Sequence, residues 1–208
     1  EADPRFESIV CVTAQHREML DQVLDIFDVH PDYDLDIMKK SQTLSQITTR
    51  ILDGIEPILT EAKPDLVLVH GDTSTSFVVA LASFYQKIPV GHVEAGLRTY
   101  NRYSPFPEEM NRLMTGRLAT LHFAPTPLNR ANLIRENITE HIYVTGNTVI
   151  DAFATTVHPG YSFDNPTLRK LDLSKNRTIL MTAPRRENLG APLEAICRAA
   201  KRIVEKFP

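Results

Sequence analysis

The first three quarters of the chain alternate between short apolar runs and longer stretches whose apolar residues recur at helical spacing. Contiguous apolar residues rich in β-branched types are typical of buried strands, whereas recurrence every three or four residues predicts amphipathic helices. The predicted strands cover residues 6–12, 33–37, 66–69, 88–93, 121–124 and 142–144. The predicted helices cover residues 19–27, 43–62, 73–85, 107–119, 127–136 and 148–155. This alternation predicts an α/β fold with a Rossmann-like, doubly wound parallel sheet and helices on both of its faces.

Turn-forming residues interrupt the pattern between positions 157 and 176, where His158-Pro159-Gly160 and Asn165-Pro166 fall in a stretch of low apolar content. We predict a first domain over 1–156, a linker over 157–176 and the start of a second domain over 177–208. The second domain is predicted to open with a strand over 178–182 and to continue in a helix over 192–207. One strand and one helix cannot bury a core, so we expect this domain to be truncated.

Composition narrows the class of protein. The 208 residues are 42% hydrophobic and 24% charged, which is ordinary for a globular protein. The net charge of -3 and the pI near 6.2 give no basic face for a phosphate backbone, so nucleic acid is not an expected partner. Cys11 and Cys197 are too few for a disulfide framework, and no apolar run approaches the roughly 18 residues of a membrane span. These observations favour a cytoplasmic protein.

Acidic residues follow two of the predicted strands and begin one of the predicted helices. Asp72 comes after the strand at 66–69, Glu94 directly follows the strand at 88–93, and Glu108 stands in the first turn of the next helix. In a parallel α/β sheet the carboxyl ends of the strands border the ligand crevice. The three carboxylates are therefore predicted to converge on one site, where crowding separates their pKa values and allows acid and base roles.

Each of these residues also has a purely structural interpretation. Asp72 could only cap the following helix, and Glu108 and Glu109 suit the dipole of a helix first turn. Histidines on apolar strands are more often hydrogen-bonded core residues than ligands, and no pair has a trusted metal-ligand spacing. Glu94 is the hardest to dismiss, because an unpaired carboxylate beside a buried strand is costly.

Several motifs together resemble a known family. They are His70-Gly71-Asp72-Thr73, Gly91-His92-Val93-Glu94-Ala95-Gly96-Leu97-Arg98, Pro107-Glu108-Glu109-Met110-Asn111-Arg112, Thr145-Gly146-Asn147-Thr148-Val149-Ile150-Asp151 and Arg185-Arg186-Glu187-Asn188. In order and spacing they resemble the non-hydrolysing UDP-N-acetylglucosamine 2-epimerases, and Thr13-Ala14-Gln15-His16-Arg17 fits the same pattern. The match runs through almost the whole chain.

The resemblance implies the GT-B arrangement, in which two Rossmann-like domains face each other across a cleft. It also implies interconversion of UDP-N-acetylglucosamine and UDP-N-acetylmannosamine, a precursor of bacterial surface polysaccharide, by elimination of UDP across C1–C2 and its re-addition. The implied partners are UDP-N-acetylglucosamine, UDP and a second copy of the chain as a homodimer. Neither a cofactor nor a metal is expected.

At matching positions the resemblance gives Asp72, Glu94 and Glu108 the acid/base roles, and the division of roles among them stays open. The substrate-binding residues implied are Arg112, Arg185, Arg186, His92 and Asn147. A second UDP-N-acetylglucosamine site near the active site of family members, regulatory in role, involves the positions of Gln15 and Arg185.

The sequence departs from the family pattern at two places. Pro184 stands where the family has a histidine implicated in catalysis, and proline has neither a titratable group nor a backbone donor. The Gly-Thr-Arg-Pro-Glu motif and the UDP-holding segments of the second domain are not found in these 208 residues, so we expect the first strand and helix of the first domain to be missing. We therefore expect the chain not to turn over substrate by itself. A catalytically impaired nucleotide-sugar-binding module and a GT-B glycosyltransferase are the alternative functions.

Overall fold

We describe the fold from a computed structural model, which describes residues 3–14, 17–39, 41–171, 173, 175, 178–182 and 190–207. The chain divides into two compact units, Glu1–Val157 and His158–Pro208. The strands are β1 (Cys11–Val12), β2 (Tyr33–Asp34), β3 (Val67–His70), β4 (Val90–Val93), β5 (Leu121–Ala124) and β6 (Ile142–Val144). The helices of the first unit are α1 (Arg17–Phe27), α2 (Leu44–Ala62), α3 (Ser74–Tyr85), α4 (Glu108–Leu118), α5 (Pro127–Arg135) and α6 (Thr148–Thr156). The second unit contains α7 (Pro166–Arg169) and α8 (Ala191–Lys206).

The strands of the first unit form two parallel sheets. β1 pairs with β2, and a four-stranded sheet has the order β3-β4-β5-β6. Parallel strands joined by helical crossovers are what the alternating pattern predicts, so the α/β prediction is confirmed. The carboxyl ends of all four strands lie at one edge of the larger sheet, where the loops to the following helices begin.

Hydroxyl side chains begin three of the helices. Thr43, Thr73 and Thr126 each accept a hydrogen bond from the backbone N–H three residues later. These bonds satisfy backbone donors that a helix start leaves without an intrahelical partner. The cap at Thr73 confirms the helix start that the hydroxyl-rich segment after β3 predicts.

The main core lies between the larger sheet and helices α2 and α3. Ile51 and Leu59 of α2 and Val78 of α3 are buried there. Strand register places Val69, His92 and His122 in one row across β3, β4 and β5. All three side chains are buried, so this face of the sheet packs inward. The register aligns the ends of the three strands with one another.

Three predicted strands differ from the structure. The stretches 6–12 and 33–37 are paired only at Cys11–Val12 and Tyr33–Asp34, and Phe6 and Ile9 are exposed. Residues 178–182 form no strand, and Leu180 is 90% exposed. A strand needs a hydrogen-bonded neighbour, and the described part of the second unit contains none. Over the described residues, no helix is long and apolar enough to cross a membrane.

Candidate active site

The carboxyl ends of β3 and β4 bring two of the predicted acidic residues to one edge of the sheet. The N–H of Gly71, just before Asp72, donates to the carbonyl of Val93, just before Glu94. A Cβ atom built on Gly71 would lie 3.3 Å from Oε2 of Glu94, so the Glu94 side chain crosses over this glycine. The structure thus brings Asp72 and Glu94 together, as parallel strand order predicts.

The start of helix α6 holds the Glu94 carboxylate from the other side. Asn147 donates from Nδ2 to Oε1 of Glu94 at 3.1 Å, and its Oδ1 accepts from the N–H of Val149 at 3.0 Å. One amide therefore caps α6 and holds a carboxylate at the same time. Asn147 thus lies beside Glu94, and its predicted substrate contact stays a prediction.

The backbone at Glu94 adopts a conformation that is uncommon for a residue with a side chain. Its φ is 68°, in the left-handed region. Residues other than glycine adopt this region seldom, and such backbone persists only where neighbouring contacts determine it. The turn that leaves β4 therefore directs the Glu94 side chain along the sheet edge toward Gly71 and Asn147.

Asp72 is held by a buried arginine from helix α4. Nη2 of Arg112 lies 2.6 Å from Oδ2 of Asp72, and the arginine side chain is only 10% exposed. Asn111, the preceding residue, donates from Nδ2 to the backbone carbonyl of Asp72 at 3.0 Å. Two consecutive residues of α4 thus fix both the backbone and the carboxylate of Asp72. Arg112 thus contacts the Asp72 carboxylate directly, and its predicted substrate contact stays a prediction.

Glu109 is a buried residue beside the site whose contacts sequence reasoning missed. The side chain is buried, and its carboxylate accepts from the backbone N–H groups of Thr99 and Tyr100 at 2.9 to 3.1 Å. Its Oε2 also lies 3.6 Å from Nη1 of Arg112, one turn further along α4. The helix-dipole interpretation does not account for these contacts. The spacing of Glu109 and Arg112 at i and i+3 was the available signal.

Glu108 begins α4 and is partly exposed, next to the buried Glu109. Its predicted acid/base role stays a prediction, because the contacts that fix Asp72 and Glu94 involve other residues. Pro107 precedes Glu108 and makes no side-chain capping bond. The position of Glu108 is therefore set by the backbone at the start of the helix. Glu108 follows the loop 98–107 in the chain.

His92 lies beneath the site rather than at its surface. It is fully buried, and its Nε2 is 2.8 Å from the carbonyl oxygen of Gly71. Burial lowers the pKa of His92 to about 4, and the charges of His122 and Arg98 act in the same direction. A ring that is neutral at pH 7 donates from Nε2 to this carbonyl. His92 therefore supports the backbone before Asp72, and its expected substrate contact stays a prediction.

The turn after β4 rests on helix α5 and the residue that follows it. The carbonyl of Gly96 accepts from Nδ2 of both Asn129 and Asn132, at 3.3 and 3.0 Å. Arg98 forms two hydrogen bonds with the carboxylate of Glu136, at 2.7 and 2.8 Å. The sequence signals Gly96 and Arg98 only through the motif that contains Glu94.

Three of the predicted residues cannot be located. Gln15, Arg185 and Arg186 lie outside the described residues, as does Pro184. Among the residues that are described, no group of three or more His, Cys, Asp or Glu side chains could hold a metal ion.

The described site offers acid/base chemistry. Two carboxylates stand on adjacent strand ends, one against a guanidinium and the other against a neutral amide. The two carboxylates therefore have different hydrogen-bonding partners. Such an arrangement can move protons to and from one small molecule bound over the strand ends.

Comparison with known proteins places these residues in a family. The family model described as UDP-N-acetylglucosamine 2-epimerase matches residues 1–208. A UDP-N-acetylglucosamine 2-epimerase from Bacillus subtilis is 56% identical over 205 residues, which are 98% of this chain and 53% of that protein.

Solved structures of proteins from the same family are also similar to this chain. The S. aureus MnaA–UDP co-structure has a TM-score of 0.89 and 50% identity, covering 99% of this chain and 53% of the other. The UDP-GlcNAc 2-epimerase from Neisseria meningitidis bound to UDP-GlcNAc has a TM-score of 0.69 and 58% identity, covering 73% of this chain and 42% of the other. The chain spans about half the length of the curated relatives it matches.

Proposed function

Because the chain belongs to the UDP-N-acetylglucosamine 2-epimerase family, whose members have the GT-B-like fold, we propose that it provides the acid/base half of a UDP-N-acetylglucosamine 2-epimerase site. The reaction would interconvert UDP-N-acetylglucosamine and UDP-N-acetylmannosamine. Such activity belongs to the whole protein, and the 208 residues contribute the carboxylates that move the C2 proton.

The observation that carries this proposal is the pairing of Asp72 with Glu94 at adjacent strand ends, each held by its own partner. Epimerisation at C2 needs a base that removes the C2 proton from one face and an acid that returns a proton to the other. As the proton leaves, the C1–O bond breaks and UDP departs with the electron pair. Re-addition of UDP at C1 accompanies protonation at C2. Two carboxylates in different surroundings suit these two steps.

We assign the acid/base roles to Asp72, Glu94 and Glu108 as a set, without dividing base from acid among them. Arg112 holds the Asp72 carboxylate and Asn147 holds the Glu94 carboxylate. We propose that Arg112 and Asn147 act next to the sugar by orienting these two carboxylates. The predicted substrate contacts of Arg185 and Arg186, and the second site at Gln15 and Arg185, rest on the family motifs alone.

The proposed ligands are UDP-N-acetylglucosamine and UDP, which the solved relatives from Neisseria meningitidis and S. aureus bind according to their names. We further propose a homodimer, a role in surface polysaccharide synthesis and a cytoplasmic location. Both cysteines are free thiols, which is typical of a reducing compartment.

We also propose the domain division 1–156, 157–176 and 177–208. The separation of the chain into units that meet between Val157 and His158 supports a boundary there.

The test is exchange of the C2 proton of UDP-N-acetylglucosamine with solvent deuterium, followed by NMR, using the protein expressed from its complete reading frame. Exchange is expected, and Glu94→Gln is expected to abolish it while the circular dichroism spectrum is unchanged. Glu56→Gln, an exposed carboxylate on α2, is the matched control and should exchange normally. Absence of both exchange and binding in the unaltered protein would overturn the proposal.

Binding without turnover is the second candidate function, and the proline at position 184 favours it. Calorimetric binding of UDP-N-acetylglucosamine with no deuterium incorporation would select this function over epimerisation.

A further inference from the structure

We propose that the buried ion pair between Arg98 and Glu136 is a positioning device that sets the Glu94 carboxylate for proton transfer, an inference that rests on the proposed epimerase function. The Arg98 side chain is 0% exposed and the Glu136 side chain 15%. Nε and Nη2 of the arginine bind the two carboxylate oxygens at 2.7 and 2.8 Å. This bidentate geometry fixes direction as well as distance, which a single contact cannot do.

The ion pair closes the far end of the turn that begins at Glu94. Arg98 stands four residues beyond Glu94, and its Nη1 also donates to the carbonyl of Leu97 at 2.6 Å. Midway along the turn, the Gly96 carbonyl is held by two asparagines of α5. The segment from Glu94 to Arg98 is therefore bound to one helix and the residue after it at two separate points.

Gly96 shows how closely this turn is seated. Its φ is +86°, and a Cβ atom at this position would lie 2.2 Å from the backbone oxygen of Asn129. Only glycine can pack its backbone against the helix at this distance. The close approach brings Arg98 to Glu136 and, in the other direction, sets where Glu94 leaves the sheet.

Glu94 requires such anchoring because of its own backbone. A left-handed φ of 68° is disfavoured for glutamate and relaxes to ordinary values if the surrounding contacts loosen. On the strand side, the N–H of Ala95 donates to the carbonyl of Phe123 at 3.0 Å, which fixes the residue after Glu94 to the sheet. The ion pair is the charged, desolvated anchor on the other side of the turn.

The same guanidinium also acts on the histidine beneath Asp72. Its positive charge contributes to the low pKa of His92, whose Nε2 supports the carbonyl of Gly71. Arg98 itself is fully buried and does not reach the site surface.

The test uses Arg98→Lys and Glu136→Gln in the protein from its complete reading frame. Lysine retains the charge of arginine but cannot make the bidentate contact, and glutamine retains the shape of glutamate but not its charge. We expect kcat for epimerisation to fall about 10²-fold with KM changed less than threefold, because displacement of a catalytic group by about 1 Å has an effect of this size. The control is Ile51→Val, a core substitution in α2 that lowers the melting temperature without touching the turn.

A second measurement does not depend on turnover. The side-chain amide of Asn147 binds Glu94, so its NMR signals report where that carboxylate lies. We expect these signals to shift in both ion-pair variants and to stay unchanged in Ile51→Val. Unchanged Asn147 signals, or a kcat that follows the melting temperature as in the control, would overturn the proposal. If instead the unaltered protein shows no exchange while the Asn147 signals shift, the proposed function fails and the positioning role stands.

Discussion

The guanidinium of Arg112 lies 2.6 Å from the carboxylate of Asp72 and 3.6 Å from the carboxylate of the buried Glu109. Arg112 thus connects the Asp72 carboxylate at the edge of the site to an acidic side chain in the interior. Glu109 in turn accepts two backbone N–H groups from the loop after β4. The loop, helix α4 and Asp72 are therefore joined by charge as well as by packing.

Removal of the arginine should be costly to the fold. Arg112→Met leaves the Glu109 carboxylate buried without its cation, and the free energy of unfolding is expected to fall by about 3 to 5 kcal/mol. Urea unfolding followed by circular dichroism measures this. Arg117→Met, an exposed arginine of the same helix, is the control and should change it by less than about 0.5 kcal/mol. Equal losses in the two variants would contradict the network.

The close packing of Gly96 against helix α5 gives a second prediction. Gly96→Ala combines a left-handed φ with a clash against the Asn129 backbone, so we expect the free energy of unfolding to fall by about 3 to 5 kcal/mol. Gly146→Ala isolates the first effect, because Gly146 has a φ of +81° and nothing within 4 Å of a Cβ atom. A loss of about 1 to 2 kcal/mol is expected there. Urea titrations of both variants provide the comparison, and similar losses would show that Gly96 is not closely packed.

The two buried histidines make stability depend on pH. The pKa values of His92 and His122 are lowered to about 4 by burial, whereas an unfolded histidine titrates near about 6.5. Between these values the unfolded state binds more protons than the folded state, so the free energy of unfolding falls as the pH drops from 6.5 to 4 and levels off below. Each histidine contributes about 3 kcal/mol over this range.

Urea unfolding at steps between pH 7.5 and 4.5 measures this dependence. His122→Asn should remove about half of it, while His30→Asn, an exposed histidine, should leave it unchanged. A pH dependence that is the same in all three proteins would refute the assignment to the buried pair.

The proline at position 184 gives a prediction from sequence alone. Pro184→His restores the ionisable residue of the family motif, so we expect turnover to rise about 10²-fold or more, the usual contribution of a positioned acid or base. Initial rates of UDP-N-acetylglucosamine epimerisation measure the effect. Pro159→His, in the linker, is the control and should not raise the rate. An unchanged rate in Pro184→His would mean that the histidine is dispensable here.

Periodicity was sufficient for the regular parts of the fold. The strands β3 to β6 and the helices between them lie within a few residues of their predicted bounds. Helices α3 and α5 begin at capping threonines, whereas α4 begins at Pro107 without a side-chain cap and buries mainly polar residues. Residues 178–182 have the composition of a strand but form none in the described part of the chain. Composition reports what a segment can do, whereas pairing depends on a neighbour that local sequence does not reveal.

The site was predictable to the level of motifs. Asp72 and Glu94 follow from strand order, since parallel strands end at a common edge. The burial of Glu109 rather than Glu108 did not follow from the sequence. Adjacent residues on a helix point about 100° apart, and only the three-dimensional structure shows which one faces the interior. The burial of His92 did not follow either, because period-two alternation does not say which face of a strand is covered.

The contact between Gly96 and Asn129 also makes the two supports of Glu94 unequal. No gap exists there for a side chain, so the turn packs directly against helix α5. On the opposite side, Asn147 reaches Glu94 through a single hydrogen bond, next to the unobstructed Gly146. The Glu94 carboxylate is therefore held more closely from the α5 side than from the α6 side.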